Sequence, residues 1–159
     1  MGLVVRRKEY VLSQNAIETL RGTTFTDLGT AATDREAIGL LLQSLQGNPN
    51  VVEAEALGRA VMDRQAVDPP LLPSGIAFPH ARTDAVKKIV MAVGSVRAPI
   101  QIGEAAVRLF ILLGVPKGAV TEYLELTSFL ARHFRSGELV EKLLAAKNIN
   151  DFLAELAVA

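Results

Sequence analysis

Cysteine and tryptophan are absent from these 159 residues, and histidine occurs only twice, at positions 80 and 133. Without thiols there is no disulfide, no thiolate nucleophile and no zinc site built on sulfur. Two histidines give little basis for a catalytic metal centre, and no cofactor is expected. Charge of one sign is lacking as well. Seventeen basic and seventeen acidic residues cancel, so no global field draws the chain to nucleic acid or to an anionic membrane. No apolar run approaches the roughly 18 residues of a membrane helix, and residues 1–8 are too short and too basic to hold the apolar part of a signal peptide. These absences predict a soluble, cytoplasmic protein that works without nucleic acid, metal or membrane insertion.

What is abundant is apolar mass. Half of the residues are hydrophobic and the mean hydropathy is +0.29, enough to fill one sizeable core at this length. One domain is expected over residues 1–159, with residues 1–22 as an N-terminal extension and 23–156 as the core. In the extension, Val11, Ala16, Ile17 and Leu20 could line a short helix. Residues 23–28 alternate as a strand does. Thr33 with Glu36 makes a capping box, and Ile38, Leu41, Leu42 and Leu45 recur at helical spacing before Gly47 and Pro49 stop the helix. A second helix over about 53–65 carries Leu57, Ala60 and Val61 on its apolar stripe, which Arg64 ends at i+7 from Leu57.

Three prolines at 69, 70 and 73 make residues 68–74 a stiff loop rather than a helix interior or central strand. Residues 76–78 and 88–96 read as strands, and 99–103 as an edge or turn. Residues 107–115 are almost continuously apolar, as a strand covered on both faces requires. Thr121 is placed to cap a helix bearing Tyr123, Leu126, Leu130 and Phe134. Gly137 separates it from a helix with Leu139, Val140, Leu143 and Leu144, and a last helix begins near Asn150. Strands clustered between helix pairs imply a three-layer α/β/α sandwich with a mixed β-sheet flanked by helices.

One segment concentrates the chemistry: Gly75-Ile76-Ala77-Phe78-Pro79-His80-Ala81-Arg82. Pro79 fixes its own φ near −65° and pushes Phe78 toward an extended backbone, so His80 is delivered on a stiff support. Imidazole, with an ordinary pKa of about 6.5, offers a neutral nucleophilic nitrogen near pH 7 and can still be protonated. His80 is therefore the candidate reactive group. Arg64 has two readings. Its stem could pack while its head reaches water at a helix end that suits a cation, or its planar fork could bind an anion at His80. Arg82 is either a further anion contact or a solvated arginine. His133, near three turns beyond Tyr123, is expected on the rim.

The wording of residues 75–82 resembles the active-site signature of the fructose/mannitol-type enzyme IIA domains of the bacterial sugar phosphotransferase system, including their nitrogen-regulatory branch. The resemblance extends over roughly residues 23–156. The segment from Thr33 to Arg64 is similar to the family's first helical pair, the sixteen positions from Arg64 to His80 match its spacing, and residues 107–116 and 123–131 resemble its last strand and the helix that follows. The resemblance implies that His80 carries a phosphoryl group received from a histidine phosphocarrier protein and given to a downstream acceptor or regulated protein. It also implies that Arg64 faces the phosphoryl oxygens, with Tyr123 and Arg82 nearby.

Three departures stand out. The family's small-residue loop of the type Gly-Ser-Thr-Gly-Ile-Gly is replaced by Asp68-Pro69-Pro70-Leu71-Leu72-Pro73, where each proline removes an amide donor and Asp68 adds negative charge. Gln65 follows Arg64 where glutamate is common. Tyr123 stands where a second, ring-orienting histidine is expected, and a phenol can donate one hydrogen bond but cannot exchange protons near neutral pH. Two functions remain open: a phosphocarrier, or a regulatory binding module that keeps the fold and exchanges phosphate poorly. For a domain standing alone, the nitrogen-regulatory branch is the nearer analogy. The oligomeric state is not legible.

Overall fold

The structure, a computed structural model, describes residues 3–5 and 10–156. A small hairpin pairs β1 (Leu3–Val5) with β2 (Tyr10–Leu12). Helix α1 (Gln14–Arg21) follows, capped by the Ser13 hydroxyl and burying Ala16, Ile17 and Leu20. Val11, which the sequence suggested for this helix, lies instead in β2. Strand β3 (Thr24–Gly29) leads to α2 (Asp34–Ser44), whose Thr33 Oγ1 accepts from the Glu36 N–H at 3.1 Å, the expected cap. Helix α3 (Ala54–Gln65) comes next.

Three short strands then precede the two long ones. They are β4 (Leu71–Leu72), β5 (Ile76–Ala77) and β6 (His80–Arg82), followed by β7 (Val90–Ile102) and β8 (Ala105–Val115). The chain closes with α4 (Val120–His133), α5 (Gly137–Leu144) and α6 (Ile149–Glu155). Six of the strands form one mixed sheet in the order β3-β7-β8-β5-β4, with β6 also on the β8 edge. β3 runs parallel to β7, β7 antiparallel to β8, and both β5 and β6 parallel to β8.

Strand β8 is central, as its almost continuously apolar run predicts, and from Leu109 to Val115 it is buried on both sides. Leu109, Ile111, Leu113 and Val115 join a core with α1, α4, α5 and α6. Val107, Phe110 and Leu112 join a second core with α2 and α3. The sheet between two helical layers is the three-layer sandwich expected from the sequence. Gly94 of β7 lies so close beneath β3 that a Cβ there would stand 2.7 Å from Leu28 Cγ and from the Thr26 carbonyl oxygen.

Several local expectations are corrected. The proline-rich segment is not all loop, because Leu71 and Leu72 form an edge strand against β5, closed by a tight turn in which Ser74 (φ 67°) and Gly75 (φ 72°) are left-handed. Prolines at 70 and 73 flank that strand, so it needs no donor from them. Pro99 does not end β7. The register between Ser95 and Ile100 shifts relative to β8, and this irregularity absorbs the proline before the strand resumes. Thr121 is not a cap; α4 begins at Val120 behind Ala119, which provides no side-chain acceptor. Gly137 is the first residue of α5, capped by Ser136, rather than a separator.

Candidate functional site

His80 sits where the two helical layers meet at one end of the sheet. It opens β6, paired with Leu113 of β8, and the break between β5 and β6 falls at Phe78-Pro79. Pro79 has no N–H to give to the ladder, but its carbonyl still accepts from the Leu113 N–H at 3.0 Å. The Phe78 N–H turns outward to the Pro70 carbonyl, also at 3.0 Å. At the same break the Phe78 carbonyl meets the Nδ1 of His80 at 2.8 Å. A carbonyl only accepts, so Nδ1 must carry a proton.

That contact sets the tautomer. In the neutral ring the remaining lone pair is on Nε2, and the Tyr123 hydroxyl of α4 lies 3.2 Å from it, so the O–H donates. The imidazole is packed between the Phe78 ring, 4.6 Å away between centroids, and the Tyr123 ring at 5.8 Å. Burial of the ring lowers the His80 pKa below its ordinary value. The bond to the Phe78 carbonyl opposes this, and the charge of Arg64 lowers it further. The result is an oriented imidazole whose neutral form is favoured at pH 7, with Nε2 directed at the Tyr123 hydroxyl of α4.

Arg64 reaches this neighbourhood, but by a different route from the one its spacing suggested. It does not end the buried stripe of α3; it is exposed, and Gln65 takes the buried place after Leu57 and Val61. The stripe continues at i+4 from Val61, not i+3. The Arg64 guanidinium folds over the end of its own helix, Nη1 donating to the carbonyls of Val67 at 2.5 Å and Asp68 at 3.1 Å. Asp68 is left-handed (φ 47°), which aspartate tolerates better than most residues. Gln65 donates from Nε2 to Asp34 Oδ2 at 3.0 Å, tying α3 to the start of α2, while its buried Oε1 has no partner among the described residues.

The remaining candidates separate. Arg82, two residues along the same strand as His80, donates from Nη2 to the Lys117 carbonyl at 2.8 Å and so pins the β8–α4 turn. His133 is far down α4, with Nδ1 on the Phe129 carbonyl at 2.9 Å and its ring stacked on Phe129 at 4.2 Å. Of the apolar residues near His80 in sequence, Leu71 is exposed, whereas Leu72 and Phe78 are core. Exposed Val67 precedes Leu71, and exposed Val120 and Leu124 flank Tyr123 on α4. Among the described residues no group of His, Asp and Glu is arranged to hold a metal, and no helix is long and apolar enough to cross a membrane.

Two features of the site were not read from the sequence. The Phe78 carbonyl has no side-chain signature, although an X-Pro step in an extended segment is where a carbonyl leaves the ladder. The second is a clamp beneath Tyr123: Glu125 of α4 accepts from both the Ser13 N–H and the Ser13 hydroxyl, each at 2.6 Å, which ties α4 to the start of α1.

A sequence model of the family described as phosphoenolpyruvate-dependent sugar phosphotransferase system, EIIA 2, matches residues 21–158. The chain is 30% identical over 126 residues to the 2-O-alpha-mannosyl-D-glycerate-specific EIIABC component of Escherichia coli K12, covering 76% of this chain and 19% of that protein. It therefore spans about a fifth of that relative's length. It is 29% identical over 131 residues to the fructose-specific EIIA component of Haloferax volcanii, covering 79% and 85%. Among solved structures, the nitrogen regulatory protein IIA-Ntr of Neisseria meningitidis aligns with a TM-score of 0.73 at 22% identity, over 88% of this chain and 97% of that one. The IIAMTL in a complex with phosphorylated IIBMTL from E. coli aligns with a TM-score of 0.68 at 24% identity, over 85% and 99%. At these identities the structural likeness speaks for the fold.

Proposed function

The chain belongs to the EIIA 2 family of the phosphoenolpyruvate-dependent sugar phosphotransferase system, and from that premise we propose that it is a phosphocarrier and regulatory protein. The phosphoryl group is taken on Nε2 of His80 from a histidine phosphocarrier protein. The observation that carries the reading is the tautomer. With the Nδ1 proton held by the Phe78 carbonyl, the nucleophilic lone pair is on Nε2, the nitrogen to which the Tyr123 hydroxyl donates.

In the transfer, the Nε2 lone pair attacks the phosphorus of the donor's phosphohistidine. The donor's P–N bond breaks and its electron pair returns to the donor ring. The new P–N bond leaves His80 cationic, with its remaining N–H still on the Phe78 carbonyl. Little covalent chemistry is asked of the protein beyond this, so alignment and donors to the three equatorial oxygens do the catalytic work. Tyr123 supplies one such donor once its O–H turns from Nε2 to a phosphoryl oxygen. Arg64 supplies the charged fork after exchanging its loop carbonyls for the anion. The exposed apolar residues Val67, three residues beyond Arg64, and Val120 and Leu124, on either side of Tyr123, would receive the partner's face. A sugar-carrying and a nitrogen-regulatory role use the same chemistry and differ in the acceptor or regulated protein.

Incubation with phosphoenolpyruvate, the first enzyme of the system and its phosphocarrier should add one acid-labile phosphoryl group. His80→Ala should abolish the labelling and His133→Ala should leave it intact. A second reading is favoured by one specific observation. Arg64 is engaged with its own loop and Tyr123 occupies the Nε2 lone pair, so the resting site is closed to phosphate. A wild-type protein that stays unlabelled where an ordinary family member is labelled would establish this regulatory binding module instead.

A further inference from the structure

A cavity of about 610 Å3 opens beside the turn between β8 and α4, and His80 is not among its walls. The size lies within the range of small-molecule sites. Lys87 and Lys88, from the segment entering β7, line it together with Glu18 of α1, Glu122 of α4, and Asn15, Asn48 and Asn50. Among the described residues these two ammonium groups and two carboxylates form no ion pair, with one another or elsewhere.

This charge arrangement selects a ligand class. A simple anion attracted by the lysines would meet two carboxylates, and a simple cation would meet two ammonium groups. Glu18, Lys87 and Lys88 are exposed and Glu122 is half-buried, so a single ion pair here returns little and selection rests on matching both signs at once. A molecule that bears both charges a few ångströms apart finds a partner for each, and the asparagines of the lining can donate or accept beside them. We propose that this cavity binds a free amino acid, its carboxylate on Lys87 and Lys88 and its ammonium group on Glu18 and Glu122.

Occupancy has a path to His80. Glu122 is followed by Tyr123, whose hydroxyl holds Nε2, and α1 is tied to α4 by the Ser13–Glu125 clamp. A ligand bridging α1 and α4 loads the turn that positions Tyr123. This coupling rests on the reading of His80 as the phosphoryl acceptor, whereas binding does not.

The test is a titration of uniformly 15N-labelled full-length protein with each of the common amino acids, and with acetate and methylammonium as half-ligands. At least one amino acid should give saturable shifts at the amides of residues 87, 88 and 122, half-saturating at or below about 1 mM. The half-ligands should give none at the same concentrations. The double variant Lys87→Gln/Lys88→Gln should weaken binding by about tenfold or more with an unchanged unfolding midpoint, and Glu122→Gln should do the same. Absence of saturation with every amino acid, equal shifts from either half-ligand, or unweakened binding by the double variant overturns the proposal. Each readout is binding, so a failure of phosphorylation leaves it unaffected. Movement of the His80 ring nitrogen signals on saturation would support the coupling, and their constancy would refute that step alone.

Discussion

Replacing Tyr123 by phenylalanine removes one oxygen atom and sets two effects of opposite sign against each other. In the resting protein the hydroxyl donates to Nε2 at 3.2 Å in a half-buried setting. A neutral hydrogen bond of this kind is worth about 0.5–1.5 kcal/mol net. Attack by Nε2 must first break it, so removing it can speed transfer by at most about twofold to tenfold. In the transition state of the proposed transfer the same hydroxyl would face the phosphoryl oxygens, and loss of one well-placed donor to developing charge slows a reaction by about 10²- to 10³-fold. The second effect is larger. Tyr123→Phe should therefore lower the transfer rate by about 10- to 500-fold, the quotient of those two ranges.

The assay is single-turnover transfer of labelled phosphate from the phosphorylated carrier protein, at carrier concentrations that saturate the rate so that docking is not limiting. A rate equal to or above wild type would refute the reasoning and leave Tyr123 as a plug on the nucleophile rather than a donor to the phosphate. Folding is checked by denaturant unfolding, where the loss should stay within about 0.5–1.5 kcal/mol. Tyr123→His keeps a donor, adds a group that exchanges protons near pH 7, and should transfer faster than wild type. No gain there would shift attention to residues 68–73.

Arg64→Ala should raise the His80 pKa, because the guanidinium charge helps to lower it; an NMR titration of the ring that moves downward would contradict the placement of that charge. Acid should destabilise the fold through His80: its folded pKa lies below the ordinary 6.5, so the unfolded chain takes up the proton first and stability falls as pH drops below that value. Denaturant midpoints measured from pH 8 to pH 5 should fall more for wild type than for His80→Gln, and the reverse order would count against a desolvated ring. Gly94→Ala should cost about 1–3 kcal/mol by denaturant unfolding, since a Cβ would stand 2.7 Å from backbone oxygen and from Leu28; a neutral result would mean that β3 moves away freely.

Much of this architecture was legible because burial imposes a period. The α2 stripe, its Thr33 cap and the continuous apolar run of β8 all read directly, and Pro79 signalled a stiff approach to His80. Errors arose where one signal stood in for a geometry. A threonine near a helix start was taken for a cap, but a hydroxyl caps only from the N-cap position, and here Ala119 holds it. Pro99 predicts an edge or turn over residues 99–103, although an irregular register can carry a proline within a long hairpin. Arg64 was assigned to the buried face because i+7 from Leu57 is an allowed stripe position. The buried choice one residue later is Gln65, whose amide is held by Asp34, an interaction between helices that no single-helix pattern contains.

The segment that departs most from the resembled family has an assignable role. In place of a small-residue loop rich in free amides, residues 70–73 build an edge strand, and the Pro70 carbonyl takes the Phe78 N–H. Phe78 is thus held on both sides of its peptide: its N–H by Pro70, its carbonyl by the His80 ring. The prolines that remove amide donors also fix the backbone that fixes the tautomer. If backbone donors are fewer here, stabilisation of a phosphoryl group must come from side chains, from the Arg64 fork and the Tyr123 hydroxyl. Both are committed to other partners in the resting protein, Arg64 to Val67 and Asp68 and Tyr123 to Nε2. On the proposed transfer a docking donor would therefore release two hydrogen-bonded groups, and exposed Val67 stands three residues from one of them while exposed Val120 and Leu124 flank the other.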